Sequence, residues 1–83
     1  MKEQWLRCHL LKGMFSDEVA IKFSSLGTPV SFFVSKEYVN GEVDREGKVR
    51  VNTFTDAGTV WAVLPTPQKK IVAVDAGDLV AVS

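Results

Sequence analysis

Cys8 and His9 are the single cysteine and the single histidine of the chain, and they are the first place to look for nucleophilic chemistry. A thiol and its base must meet in space, yet neighbours on an extended strand point to opposite faces. The pair therefore reads as a core thiol, behaving as a small hydrophobe, beside a surface imidazole. One His and one Cys also leave a closed zinc site short of nitrogen and sulfur ligands. No metal and no cofactor is expected.

The carboxylates divide in the same way. Asp17 and Glu18 follow Ser16, and Asp56, Asp75 and Asp78 stand at turn-like stretches. General acid–base work needs two carboxyls held close with separated pKa values, whereas an aspartate at a turn bonds its own backbone. Asp75-Ala76-Gly77-Asp78 has too few oxygen ligands for a calcium loop. The glycines are scattered, and none forms a phosphate-cradling loop ahead of a helix. No catalytic residue emerges, and the chain reads as a non-enzyme.

One constellation is different. Trp5, Arg7 and His9 alternate along one face of a first strand, and Arg50, Asn52 and Phe54 alternate along a later one. If the two strands are neighbours, these six residues form one candidate binding surface of aromatic, guanidinium and amide groups. Such a mixture stacks and hydrogen-bonds single-stranded bases, and it is also enriched in protein interfaces. Third, Trp5 caps the end of a core while Arg7 snorkels over it. Lysine plus arginine balances aspartate plus glutamate at ten each. A neutral chain lacks the broad positive field of a general nucleic-acid binder, so a protein partner is favoured over nucleic acid.

The elements that must position these residues are strands. Lys48 to Phe54 alternates apolar and polar with β-branched residues, the period of a strand with one buried face. Thr55-Asp56-Ala57-Gly58 reads as a turn, and Thr59 to Leu64 as the return strand, stopped by Pro65. A three-residue loop with a glycine bulge at Gly58 predicts Thr53 opposite Trp61 and Val51 opposite Val63. Val49, Val51, Thr53, Trp61 and Val63 then form the core face, and Arg50, Asn52, Phe54, Val60, Ala62 and Leu64 the other. A four-residue loop groups Val49 and Val51 with Val60, Ala62 and Leu64 and turns Trp61 outward, because a one-residue slip moves every side chain across the sheet.

Elsewhere, Gln4–Lys12 predicts a strand with Leu6, Cys8 and Leu10 on one side. Glu18–Ser24 predicts another, with Val19, Ile21 and Phe23 facing in. Val30–Val34 predicts a third, with Phe32 and Phe33 on opposite faces. Ser35–Val39 is the one stretch where a short helical turn fits, Ser35 being the N-cap residue. Ile71–Val74 lacks alternation, which implies cover on both sides, and Leu79–Val82 is a last strand after the Asp75–Asp78 turn.

The length suits one domain over residues 1–83. The fold expected is all-β: a small single-domain barrel or strongly bent antiparallel sheet, SH3-like or OB-like, with at most one short helical turn. A lone cysteine suits a reducing compartment, and no apolar run approaches a signal h-region or a membrane span. The expectation is a cytoplasmic protein with no membrane association.

The functional expectation is a non-catalytic binding module that self-associates. Phe33, Phe54, Val60, Leu64, Val72 and Val74 exceed what one core face accommodates, and a two-fold homodimer is the commonest way to cover such a surplus. The rival is a lid formed by the loop Lys12–Asp17, bringing Met14 and Phe15 over that face. A single-stranded nucleic-acid-binding barrel is the alternative function. An enzyme whose site is completed by a second subunit comes third.

Overall fold

A computed structural model describes residues 1–82. Eight strands and two single 3-10 turns make up the fold: β1 Lys2–Lys12, β2 Glu18–Ser25, β3 Thr28–Ser35, β4 Val39–Asn40, β5 Glu46–Asp56, β6 Thr59–Val63, β7 Ile71–Val74 and β8 Leu79–Ala81. All pairings are antiparallel, in the order β3-β2-β1-β5-β6-β7, with β4 added to β5 and β8 added to β1. The sheet curls strongly into a half-barrel, as the strand pattern predicted.

Curling follows from how β1 and β5 share their edges. β1 gives one edge to β5 from Lys2 to His9, and splits the other between β8 at Gln4–Leu6 and β2 at His9–Lys12. β5 likewise divides its second edge between β4 and β6. Two long strands that change partners midway must bend, and the bend wraps their inner faces around one core. Leu6, Leu10, Ile21, Val49, Val51 and Leu64 are its largest fully buried side chains. Phe23 and Phe32 stack against each other at its edge, with ring centroids 6.2 Å apart.

Gly47 pairs with Cys8 and lies beneath the close approach of β4. A Cβ there would stand 2.6 Å from Leu10 Cδ1 and 2.7 Å from the Asn40 carbonyl oxygen, so only glycine lets β4 and β5 close over Leu10. At the opposite end of the inner face Thr53 is buried, and its hydroxyl donates to Gln4 Oε1 at 2.6 Å. A polar group is thus satisfied where the core ends.

The central hairpin overturns the register expected from a three-residue loop with a glycine bulge. Asp56 pairs with Thr59, Phe54 with Trp61 and Asn52 with Val63. The loop is therefore only Ala57-Gly58, and both residues have positive φ, 51° and 79°. That is the type I′ geometry, whose twist matches the flanking strands. Gly58 has the expected positive φ, but the loop is one residue shorter than the bulge required, and β6 turns over. The faces become those of the even-loop alternative: Val49, Val51, Ala62 and Leu64 are buried, while Trp61 sits half-buried on the outer face beside Phe54. Val63 also moves to the outer side.

The same turnover absorbs most of the supposed apolar surplus. Leu64 and Val74 are fully buried, and Val60 and Val72 pack against the core. The β1–β2 loop is no lid, since Met14 and Phe15 are 76% and 68% exposed. Nor is β7 covered on both sides, for Ile71 is exposed.

The 3-10 turn at Lys36–Tyr38 falls where a helical turn was expected, although Ser35 makes no side-chain cap bond. The Asp75–Asp78 turn takes the form of a second one, Ala76–Asp78, in which Asp75 Oδ1 accepts from the Gly77 N–H at 3.1 Å. Among the described residues, no helix is long and apolar enough to cross a membrane.

Candidate functional site

The candidate surface is built on the outer faces of β1 and β5. Their register sets Trp5 opposite Arg50, Arg7 opposite Lys48, His9 opposite Glu46 and Glu3 opposite Asn52. The alternation that buries Leu6 and Cys8 forces Trp5, Arg7 and His9 outward, and the alternation that buries Val49 and Val51 does the same for Arg50 and Asn52. All six residues picked out from the sequence therefore share one face. Phe54 lies farther along it, paired with Trp61.

Trp5 is the centre of this face. The Arg50 guanidinium carbon lies 4.9 Å from its ring centroid, and Lys48 Nζ lies 5.2 Å away. Both are within cation–π range. The half-buried indole is thus already in contact with two cations, and what the face presents outward is charge backed by an aromatic ring. Lys48 was not among the residues singled out. Its alternation with Arg50 on β5 was the available signal, and only the β1–β5 register shows that it reaches Trp5.

Charge is unevenly distributed although the total is zero. Arg7, Lys48 and Arg50, with Lys22 next to His9 on β2, share the outer face with Glu3 and Glu46. His9 Nδ1 lies 3.1 Å from Glu46 Oε1. Next to this area, between β4 and the end of β6, Arg50, Asn52, Glu3, Tyr38, Val63 and Ile71 line a shallow cleft of about 460 Å³.

Cys8 lies on the opposite side of the sheet. It is buried, and burial, with Glu46 adding to it, pushes its thiol up to about 12. A thiol in that state is no nucleophile near neutral pH. Among the carboxylates, Glu18 Oε1 accepts from the Met14 N–H at 3.0 Å, and Asp75 caps its own turn. Among the described residues, no group of three or more His, Cys, Asp or Glu side chains is placed to hold a metal ion.

Comparison with protein-family models, with curated proteins and with solved structures finds no match to this chain. The geometry alone therefore defines the class: an all-β half-barrel with a cation-bearing aromatic outer face.

Proposed function

We propose that the protein is a non-catalytic binding module that works through protein–protein contact, with the outer face of β1 and β5 as its working surface. The arrangement at Trp5 supports this reading. An indole held by Lys48 and Arg50 is a rigid anchor of the composition found at the energetic centre of protein interfaces. Its ring is occupied, which disfavours stacking of a nucleic-acid base, and its cations suit a carboxylate-bearing partner.

A short oligoglutamate peptide, followed by tryptophan fluorescence, tests the surface. Binding is expected, and Arg50→Glu should weaken it by about tenfold or more, the loss of ~1.4 kcal/mol. Equal binding by wild type and Arg50→Glu would remove this face from the proposal.

Nucleic acid is the second reading, favoured by the gathering of Arg7, Lys22, Lys48 and Arg50 on one side of a neutral chain. Oligothymidylate binding with a steep salt dependence and quenching of Trp5, in place of oligoglutamate binding, would establish it.

Self-association belongs to the same proposal, with Phe33 the one residue retained from the apolar set first considered. The register aligns Leu11, Ala20 and Phe33 in one outer row across β1, β2 and β3. Phe33 is 47% exposed, and Met14 and Phe15 extend the apolar surface from the adjoining loop. A two-fold contact over this row is the homodimer proposed. Sedimentation equilibrium at micromolar concentration should give a dimer mass that Phe33→Lys reduces to monomer. A wild-type monomer would refute it.

A further inference from the structure

The main strand order ends at β3 and β7, and a seam runs from a contact between β2 and β7 to the gap between β3 and the segment that precedes β7. At one end of the seam Ser25, the last residue of β2, donates from its Oγ to the Ala73 carbonyl of β7 at 2.7 Å. At the other end Phe33, Val34 and Ser35 stand across from Pro65, Thr66 and Lys69, and the gap opens into a cleft of about 560 Å³. Thr66 is buried, and its hydroxyl accepts the Lys70 N–H at 3.0 Å, so the far wall is ordered by its own bonds.

The backbone of β3 faces this seam with hydrogen-bonding capacity to spare. The two-residue turn Leu26-Gly27 makes Ser25 and Thr28 a hydrogen-bonded pair. Alternation from that pair turns the backbone groups of Ser31, Phe33 and Ser35 away from β2. Among the described residues, no backbone hydrogen bond reaches that side of β3. By the same alternation Ile71 and Ala73 of β7 direct their backbone groups away from β6, and the Ala73 carbonyl is the one that Ser25 meets.

Proteins usually blunt an exposed edge with lysine, proline, inward-pointing charge or a bulge. β3 has one of these, Pro29 near its start; beyond it Val30–Ser35 carries no charged residue and pairs with β2 without a break. The mouth of the cleft is acidic, with Asp17, Glu18 and Glu37 against the single cation Lys69.

We propose that this seam is a strand-addition site for an extended segment of a partner protein that carries lysine or arginine at alternate positions. The segment pairs its backbone with Ser31, Phe33 and Ser35, and sets a cation against Asp17 and Glu37. Backbone pairing supplies affinity and the acidic mouth supplies selection, as in other β-augmentation sites. A second copy of this chain is the poorer occupant, because its own β3 has no cation to offer that mouth. The proposal concerns a different surface from the β1–β5 face and does not depend on it.

The probe is a fluorescein-labelled synthetic peptide alternating lysine with valine and threonine, titrated with the full chain and followed by anisotropy. Saturable binding is expected. N-methylation of alternate peptide nitrogens should abolish it, as should replacing the peptide lysines by glutamate. Ser31→Pro removes one edge N–H that β2 does not use, a change tolerated on sheet edges. It should weaken binding by about tenfold or more, equivalent to ~1.4 kcal/mol, while the melting temperature stays within a few degrees. Glu37→Lys should also weaken it. Absence of binding, or equal binding of the N-methylated peptide to wild type, would overturn the proposal, and the second measurement holds even if Ser31→Pro folds poorly. A dimer that Ser31→Pro splits and Phe33→Lys leaves intact would overturn it too, by showing a second copy on the edge.

Discussion

The β2–β3 and β5–β6 hairpins turn in the same way and end in different situations. Each closes with two residues of positive φ, a non-glycine followed by a glycine: Leu26-Gly27 at 49° and 90°, Ala57-Gly58 at 51° and 79°. Yet β5 and β6 each have partners on both edges, while β3 has β2 alone. Turn chemistry decides how a hairpin folds back, and position in the sheet decides whether its backbone is spent on the fold or left for something else.

Proline substitution should expose this difference most strongly. Ala62 is buried and faces Val72 across a ladder that its N–H serves. Ala62→Pro should cost on the order of 3 kcal/mol or more and abolish the cooperative melt. Ser31→Pro, with its N–H toward the seam, should cost less than about 1 kcal/mol in the same denaturation experiment. Similar losses at both positions would mean that the β3 edge is covered.

The interior of the central sheet gives two smaller effects. Gly47→Ala forces a Cβ against Leu10 and the Asn40 carbonyl, and urea denaturation should show a loss of about 1–3 kcal/mol. The Cys8 thiol supplies a pH test. Its pKa rises from 9.0 to about 12 on folding, so the folded state holds the proton more tightly. Stability should be unaffected by this group below pH 9. It should fall as pH rises through the window from about 9 to about 12, with a slope approaching ~1.4 kcal/mol per unit. Cys8→Ser, offering no titrating thiol, should flatten that part of the profile.

The smallest effect should be the one the two hairpins share. Asparagine tolerates positive φ better than leucine or alanine, and Asn-Gly is the preferred type I′ pair. Leu26→Asn and Ala57→Asn should each raise stability by up to ~1 kcal/mol, visible as a higher melting temperature. A gain at only one of them would show that the turns are not equivalent.

These turns also explain what the sequence could and could not show. The strand alternation at Leu6-Cys8-Leu10, Val19-Ile21-Phe23 and Val49-Val51-Thr53 is local, and each set faces the core as read. The β1–β5 face was legible for the same reason, since parity along two strands places its residues without knowledge of the loop. The β5–β6 register was not. Ala57 gives no sign in its side chain that it will accept positive φ, and the turn could equally be read around Gly58 alone. That one residue carried Trp61 and Val63 from the core to the outer face and sent Leu64 inward. The seam was less legible still, because the edge left bare depends on pairings between distant segments. Within Thr28–Ser35 only Pro29, which has no N–H to give a ladder, speaks for an edge strand, and it does not show which pairing is missing.

The way β1 divides its edges has a consequence for how the molecule reaches its fold. Gln4–Leu6 pairs with Leu79–Ala81, and the same strand waits for β5 on its other side. During synthesis β2 follows β1 at once, but the other partners of β1, β5 and β8, arrive later. The β2–β3 hairpin can form early from local contacts. The core around Leu6 and Val49 needs loop closures across much of the chain, whose entropy must be met before the contacts compensate. Such non-local topologies fold in milliseconds to seconds rather than microseconds. Through that interval the core side chains of β1 and β2 are exposed along with the β3 edge, so nascent chains of this protein should be most vulnerable to aggregation before Leu79 leaves the ribosome.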